Sequence, residues 1–228
     1  MLTAATTAMA WDLSAPVASD FAQYLCAFPD VLPQPAFAAL AADIEQFAAT
    51  ERNYVPTHKK GGTIAYETLR EHAPRVAGFY QSPSLHRFVS GIVDVEVGPT
   101  PLHDQSSCSI LCYEKPGDHI GWHYDHNFYK GRHFTVLLSI VNRGADGLSA
   151  ARLMARLDGT ERTIVTPRNT LVVFEGAKVL HKVTPLNRGE RRVVLSMTFC
   201  TDSRHSMIQE GMRRVKDTAF FGIRALWS

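Results

Sequence analysis

The chain has 228 residues, of which 45% are hydrophobic, and its formal net charge is +2. This length and apolar content predict one domain with one sizeable core. The nearly balanced charge gives no general electrostatic basis for binding nucleic acid or a membrane. No apolar run approaches the length of a transmembrane helix, and the first residues lack the basic region of a secretion signal. We therefore expect a cytoplasmic protein. For its oligomeric state, we expect either a monomer or a homodimer.

The four cysteines do not predict a disulfide framework or a structural zinc site. They are scattered along the chain, at Cys26, Cys108, Cys112 and Cys200. A structural zinc site would need a second pair of Cys or His ligands beside the 108–112 pair. Free thiols in a reducing compartment are the better interpretation.

Residues 1–93 are predicted to form a mainly helical layer. Residues 17–28 have the pattern of a short amphipathic helix or strand, and a proline-bounded break follows at 29–33. Pro35 then opens a helix over residues 36–50, which places apolar side chains at helical spacing. Two further helical patterns cover residues 65–79, with an interruption at Pro74, and residues 84–93.

Beyond residue 93 the pattern changes to short strands. Eight segments have this pattern: 94–97, 109–113, 134–142, 153–157, 163–165, 170–174, 179–183 and 192–199. Strands in succession after helices, without the spacing of βαβ units, predict an α+β, mainly β fold with an antiparallel sandwich or barrel. We expect residues 94–200 to form this β core and residues 201–228 to form a C-terminal helix or lid.

Three side chains make a candidate metal site. His123 and Asp125 are two positions apart, and His181 follows in a later predicted strand. In a strand, residues two positions apart point to the same side at about 7 Å, so His123 and Asp125 can converge on one ion. Two histidines and one carboxylate are the facial triad that holds non-haem Fe(II) and leaves open coordination positions.

An ordered series of motifs surrounds these three residues. The series is Tyr113-x-x-Pro-Gly, His123-Tyr-Asp125, Arg132-x-x-Thr-Val-Leu-Leu, residues 167–174, His181-x-Val-x-Pro185 and Gly189-Glu-Arg-Arg192. It covers about the second half of the chain. In this respect the chain resembles the Fe(II)- and 2-oxoglutarate-dependent oxygenases, whose core is a double-stranded β-helix of the jelly-roll, cupin-like kind. It is most similar to their compact branch, which contains prolyl hydroxylases and small free-amino-acid oxygenases and halogenases.

The resemblance implies a chemistry for the candidate metal site. His123, Asp125 and His181 would hold Fe(II), and 2-oxoglutarate and O2 would take the remaining positions. Oxidative decarboxylation of the oxo acid to succinate would be coupled to hydrogen removal from an aliphatic carbon, with hydroxylation as the usual outcome. In the halogenating relatives a small residue replaces the carboxylate so that chloride can bind. The presence of Asp125 therefore predicts that this chain does not halogenate.

The far carboxylate of 2-oxoglutarate requires a cation, and arginine can bind a carboxylate with two hydrogen bonds. The commonest family spacing favours Arg191. Strand parity favours Arg192, because Arg192 shares one face of its strand with Ser196 and Thr198, whereas Arg191 shares the apolar face. We prefer Arg192 on this ground.

The resemblance also implies that Tyr113 and Ser139 could donate hydrogen bonds to the oxo acid. A serine that often follows the family's arginine by two residues is replaced here by Val193 or Val194, whichever arginine is used.

The substrate is predicted to be a small polar metabolite, most simply a free amino acid. A polar loop over residues 58–63 carries two lysines that could bind a carboxylate. Candidate substrate contacts are Lys60, His126, Ser196 and Thr198.

Three other functions are alternatives to an oxygenase that acts on a free amino acid. One is a prolyl-hydroxylase-like oxygenase that acts on a peptide or protein, and another is a non-catalytic β-barrel module that binds a metal. Nucleic-acid repair oxygenases are disfavoured, because Met197 or Thr198 stands where they carry a second arginine.

Overall fold

The computed structural model describes residues 24–47 and 59–204, together with Trp11, Leu13, Phe21, Gly211, Met212 and Val215. The described helices are α1 (Gln34–Phe47), α2 (Tyr66–His72), α3 (Pro74–Tyr80) and α4 (Pro83–Val93). Proline stands in the first turn of α3 and α4, where its missing N–H costs no helical hydrogen bond. These helices confirm the predicted helical regions and the interruption at Pro74.

Twelve strands occur in the described part of the chain. They are β1 (Leu25–Phe28), β2 (Lys59–Lys60), β3 (Gly62–Ile64), β4 (Gly98–Pro99), β5 (Cys108–Tyr113), β6 (His119–His123), β7 (His133–Arg143), β8 (Leu153–Leu157), β9 (Thr160–Ile164), β10 (Leu171–Glu175), β11 (Leu180–Val183) and β12 (Arg191–Cys200). Seven of the eight predicted strands are confirmed to within a few residues at each end.

All of the strand pairs are antiparallel, and they build two sheets. The larger sheet has the order β1-β10-β7-β12-β5-β3, with β4 pairing to β12. The smaller sheet has the order β2-β6-β11-β8-β9. The predicted mainly β fold with helices is therefore confirmed at the level of two antiparallel sheets and a helical layer.

The two faces of β12 belong to two different cores. Val193, Leu195, Met197 and Phe199 are buried in a cluster with the helices. Arg192, Val194 and Ser196 instead line the space between the two sheets. Side chains alternate across a strand, so one long strand both anchors the helical layer and supplies the wall of a cavity.

Two predicted segments differ from the structure. The predicted strand at residues 94–97 is wrong: Asp94 is the left-handed C-cap of α4 at φ 52°, and strand pairing begins only at Gly98. Asp tolerates the left-handed conformation better than most residues. This conformation at Asp94 ends the helix.

The predicted polar loop at residues 58–63 is also wrong in part. β2 joins the smaller sheet beside β6, and β3 joins the larger sheet beside β5. Gly61, at φ +148°, lets the chain change sheets, and a Cβ there would lie 3.0 Å from the Cys112 carbonyl oxygen. This segment therefore closes one side of the space between the sheets.

Gly211, Met212 and Val215 are helical, but the rest of the predicted C-terminal helix lies outside the described residues. Residues 1–10 and half of the predicted element at 17–28 also lie outside them, and the described end of that element is strand β1. Among the described residues, none of the helices has the length and apolar character needed to cross a membrane.

Candidate metal centre

The three residues of the candidate metal site lie together between the sheets. His123 ends β6 and is the direct cross-strand partner of His181 on β11. Their ring centroids are 4.1 Å apart. Asp125 follows the end of β6, and its Oδ1 lies 3.5 Å from His123 Nε2 and 3.7 Å from His181 Nε2. One ligand atom from each residue falls within a group no wider than 4.8 Å, which is suited to a single ion.

A β-bulge in β6 gives His123 its orientation. His181 pairs with His123, but Val183, two residues further along β11, pairs with Ile120, three residues back along β6. The extra residue changes the alternation of side chains, so both Ile120 and His123 line the space between the sheets. Bulges are common beside active sites, where they redirect a side chain.

Backbone carbonyls fix the protonation of both imidazoles. His123 Nδ1 lies 2.9 Å from the Gly121 carbonyl, and His181 Nδ1 lies 2.9 Å from the Val179 carbonyl. A carbonyl can only accept, so Nδ1 carries the proton, and in the neutral ring Nε2 keeps its lone pair for an ion. Burial also lowers the pKa of His181, which favours the neutral ring that a metal requires.

Asp125 is held as a carboxylate by its neighbours. Its Oδ2 accepts a hydrogen bond of 2.5 Å from the Thr135 hydroxyl, and its amide donates to the Gly176 carbonyl at 3.0 Å. Burial alone would raise the pKa of this carboxyl group. The charge that His181 and His123 carry when they are protonated and the Thr135 hydrogen bond outweigh that effect and hold the pKa of Asp125 well below its usual range.

A cavity of about 70 Å³ contains this cluster. Seven of its fourteen lining residues are apolar, namely Leu111, Ile120, Leu137, Leu153, Phe174, Val183 and Val194. The others include the three candidate ligands, Tyr113 and Arg192. A larger surface depression of about 630 Å³ lies against α4, but none of the candidate ligands lines it.

Arg192 and Tyr113 lie side by side in the wall of the cavity. Both are fully buried, and they are direct partners across β12 and β5. Arg192 Nη1 donates to the Ala151 carbonyl at 3.1 Å, whereas Arg192 Nε and the Tyr113 hydroxyl have no hydrogen-bond partner among the described residues. Burial raises the pKa of Tyr113, so its hydroxyl remains a donor. Buried polar groups are seldom left unsatisfied unless a ligand completes them.

Arg191 lies on the opposite side of β12. Its Nε is 3.0 Å from Glu114 Oε1, and its Nη1 is 4.0 Å from Glu45 Oε2. Arg191 is thus committed to two carboxylates and does not line the cavity, whereas Arg192 does. The alternation of side chains from which the sequence favoured Arg192 is present in the structure.

The structure does not gather all the other predicted site residues. Ser196 lines the cavity. Ser139 lies outside it and donates to the Thr166 carbonyl at 3.0 Å. Thr198 also lies outside, with its hydroxyl 2.7 Å from that of Thr100. Lys60 and His126 are exposed and do not line the cavity.

Three residues of the site were missed by sequence reasoning. Thr135 lies in the Arg132-x-x-Thr-Val-Leu-Leu motif, where its parity with the cavity-lining Leu137 could have revealed it. The Phe174 ring lies 4.7 Å from the His181 ring at an angle of 66°. Gly176 faces Asp125 so closely that an added Cβ would lie 2.6 Å from Asp125 Oδ2. No local sequence pattern identifies such a contact.

Two family models match the chain. The model of Halogenase D matches residues 11–132, which is more than half of the chain. The model of the 2OG-Fe(II) oxygenase superfamily matches residues 108–199, which contain all three candidate ligands. No curated protein matches the chain.

Solved structures share the fold. A Pseudomonas putida prolyl-4-hydroxylase is 20% identical, covers 81% of this chain and 96% of its own, and has a TM-score of 0.59. The epimerase SnoN from nogalamycin biosynthesis, in complex with Fe3+, alpha ketoglutarate and nogalamycin RO, is 11% identical over 79% of this chain and 80% of its own, with a TM-score of 0.64. A Trichoplax adhaerens prolyl hydroxylase, in complex with a hypoxia inducible factor peptide fragment, is 13% identical over 83% of this chain and 87% of its own, with a TM-score of 0.57.

Sequence identities this low show only that the fold is shared. The two family models are what assign the chain to a protein family. The donor set fits iron, because two neutral imidazoles and a carboxylate leave open positions on an octahedral ion. The unsatisfied Arg192 and Tyr113 groups fit the far carboxylate of an oxo acid. The chain therefore belongs to the Halogenase D family and to the 2OG-Fe(II) oxygenase superfamily: it is an oxidoreductase of the dioxygenase class, with Fe(II) and 2-oxoglutarate as cofactors.

Proposed function

We propose that this enzyme hydroxylates an unactivated C–H bond of a small polar metabolite, most simply a free amino acid. The position of the Asp125 carboxylate is the observation that supports hydroxylation over halogenation. It lies 3.5 Å and 3.7 Å from the two imidazole nitrogens, where it would complete the ligand set of the iron.

The name of the matching family does not decide the reaction. Position 125 falls within the residues matched by the Halogenase D model, and this chain has aspartate there. Since 2-oxoglutarate and O2 would take the positions that three protein ligands leave open, a halide could bind the iron only if Asp125 gave up its position. Because Asp125 is anchored by the Thr135 hydroxyl and the Gly176 carbonyl, it is not free to move aside. We infer that oxygen, and not chloride, is transferred to the substrate.

The chain's own residues have separate roles in this proposal. His123, Asp125 and His181 would hold Fe(II) through Nε2 atoms and a carboxylate oxygen. Arg192 would bind the far carboxylate of 2-oxoglutarate, and the Tyr113 hydroxyl would donate a second hydrogen bond to it. Arg192 is suited to this task because burial removes the competition of water for its guanidinium.

When bound, Fe(II) and 2-oxoglutarate would supply the oxidising chemistry, in which one oxygen atom of O2 would go to succinate and one to the substrate, with loss of CO2 from the oxo acid. The apolar lining, including Leu137, Leu153 and Phe174, keeps water from the oxo acid and strengthens its contacts. A cavity of about 70 Å³ has no room for a substrate beside the oxo acid. The substrate would then approach the half-exposed side of the cluster, at His123 and Asp125, whose side chains are 35% and 23% exposed.

The family match supports the proposed substrate class without deciding it. The Halogenase D match favours the free-amino-acid oxygenase and halogenase branch that the sequence resembles. The alternative is a peptide or protein substrate, and it is favoured by the fold shared with two prolyl hydroxylases. Of the four substrate contacts expected from the sequence, Ser196 lines the cavity, and we therefore propose that it contacts the oxo acid instead.

We also propose that the two sheets are the layers of a double-stranded β-helix. In this view residues 1–93 support one sheet, residues 94–200 carry the metal site, and the chain forms a single domain.

Succinate formation from 2-oxoglutarate tests the proposal. Purified protein would be incubated with Fe(II), O2 and either single free amino acids or proline-bearing peptides, in chloride buffer. We expect succinate formation to rise with at least one amino acid, and the product to gain one oxygen atom. Turnover only with a peptide would refute the metabolite class, and a chlorinated product would refute the assignment of Asp125. Asp125→Ala protein is the control for metal-dependent turnover.

A further inference from the structure

The turn between β10 and β11 contacts two of the three candidate ligands. Its residues 175–179 are closed by hydrogen bonds from the Lys178 and Val179 amides to the Glu175 carbonyl, at 2.9 Å and 3.1 Å. The Gly176 carbonyl accepts from the Asp125 amide at 3.0 Å. The Val179 carbonyl orients the His181 ring through Nδ1 at 2.9 Å. A shift of this turn would displace both ligands together.

Glu175 fixes this turn through charge. Its side chain is only 5% exposed, and its Oε2 lies 2.7 Å from Arg132 Nη2 and 3.2 Å from Arg132 Nε. On the other side, Glu175 Oε1 lies 3.2 Å from Lys178 Nζ, within the same turn. Hydrogen bonds between charged groups are about twice as strong as neutral ones. A buried carboxylate with two cations therefore has one strongly favoured position.

The two cations are held in turn by aromatic rings. The Arg132 guanidinium lies 4.8 Å from the centre of the Phe134 ring, and Lys178 Nζ lies 4.5 Å from that of Tyr24. The Glu175 amide also donates to the Tyr24 carbonyl at 3.0 Å. These contacts connect the turn to β1 and β7, so the turn is fixed to the larger sheet. The smaller sheet supplies His123 and His181.

We propose that Glu175 is a positioning residue for the metal centre. It does not touch the metal or the substrate. By holding the 175–179 turn through Arg132 and Lys178, it keeps Asp125 and His181 at the spacing that one ion requires. This inference rests on the proposed metal site, and its test separates the two.

The test measures the affinity of the protein for Co(II) alone, by absorbance titration, well below the melting temperature of each variant. Glu175→Gln keeps the size of the side chain and removes its charge. We expect its Kd for Co(II) to rise by up to about tenfold, the lower end of the range for groups that contact a metal ligand directly, because Glu175 acts through the turn. Asp43→Asn is the matched control, because it removes a 3.0 Å ion pair with Arg75 in the helical layer. We expect its Kd to stay within about twofold of the wild type.

Each outcome is decisive. If Glu175→Gln binds Co(II) as tightly as Asp43→Asn does, the positioning role is refuted. If the wild type binds no Co(II), the metal site itself fails. Should Glu175→Gln not fold, Arg132→Gln decides in its place, and its Kd for Co(II) should rise above that of Asp43→Asn. A merely structural role would lower the melting temperatures of the variants and leave their Kd values unchanged.

Discussion

Replacement of Arg192 by methionine should weaken the binding of 2-oxoglutarate without weakening the fold. Arg192 is 1% exposed, and the described residues offer its guanidinium one backbone carbonyl and no carboxylate. An uncompensated buried charge costs several kcal/mol, and its replacement by an apolar residue of similar volume is commonly neutral or stabilising. We expect Arg192→Met to unfold at the wild-type temperature or above it.

The effect on the cofactor should have the opposite sign. Loss of one partner from a buried charged pair costs about 2–5 kcal/mol. A value of about 3 kcal/mol corresponds to a change on the order of a hundredfold in affinity. The apparent KM for 2-oxoglutarate, measured by succinate formation at saturating Fe(II), should therefore rise by about that factor.

Arg191→Met is the matched control. Arg191 is 24% exposed and pairs with Glu114 and Glu45. Such pairs contribute about 0–1 kcal/mol, so this variant should lose a little stability and keep its KM. A larger rise in KM for Arg191→Met than for Arg192→Met would show that the cavity assignment of Arg192 is wrong.

Four further changes test the metal centre. Asp125→Ala removes one of the three proposed ligands, and we expect no detectable hydroxylation, measured as product formation. Gly176→Ala places a Cβ 2.7 Å from Asp125 Cβ and 2.6 Å from its Oδ2, so the carboxylate must move. The Kd for Co(II) should then rise at least about tenfold, and an unchanged Kd would contradict the contact. Thr135→Val removes the 2.5 Å hydrogen bond to Asp125 but keeps the shape of the side chain, and we expect the Kd for Co(II) to rise about tenfold. Thr163→Val, at an exposed strand position, is its control. An equal rise in Kd for both variants would indicate a general loss of stability. Removal of metal by a chelator should lower the melting temperature. Co(II) at a hundred times its Kd adds about 2.7 kcal/mol to the free energy of unfolding, which is roughly 5–10 °C for a protein of this size. An unchanged melting curve would exclude tight binding.

Local patterns were sufficient for most of the elements and for the identity of the candidate ligands. The helical spacing of apolar residues predicted α1 and α4, and the alternation along β12 separated Arg192 from Arg191, because the side-chain period of a strand is fixed by backbone geometry. The residue types of the His-x-Asp and distal His motif limited the ion to one that accepts two imidazoles and a carboxylate.

Other features depend on residues that are far apart in the chain. The parity of Ile120 and His123 is set by a bulge that only pairing with β11 creates. Ser139 and Thr198 have the parity and chemistry of ligand contacts, yet nearby oxygen atoms of Thr166 and Thr100 engage their hydroxyls. Such partners are chosen by packing and not by the spacing of residues along the chain.

The sequence alone determined that two histidines and an aspartate are available at spacings that strands can bring together. The tertiary structure decided how they meet, through Gly176 beside Asp125, the carbonyls behind both imidazoles, and the sheet crossing at Gly61. The physical reason is that secondary structure follows from interactions between near neighbours. The shape of a cavity follows instead from close contacts between segments from distant parts of the chain, where a single methyl group is enough to exclude a ligand.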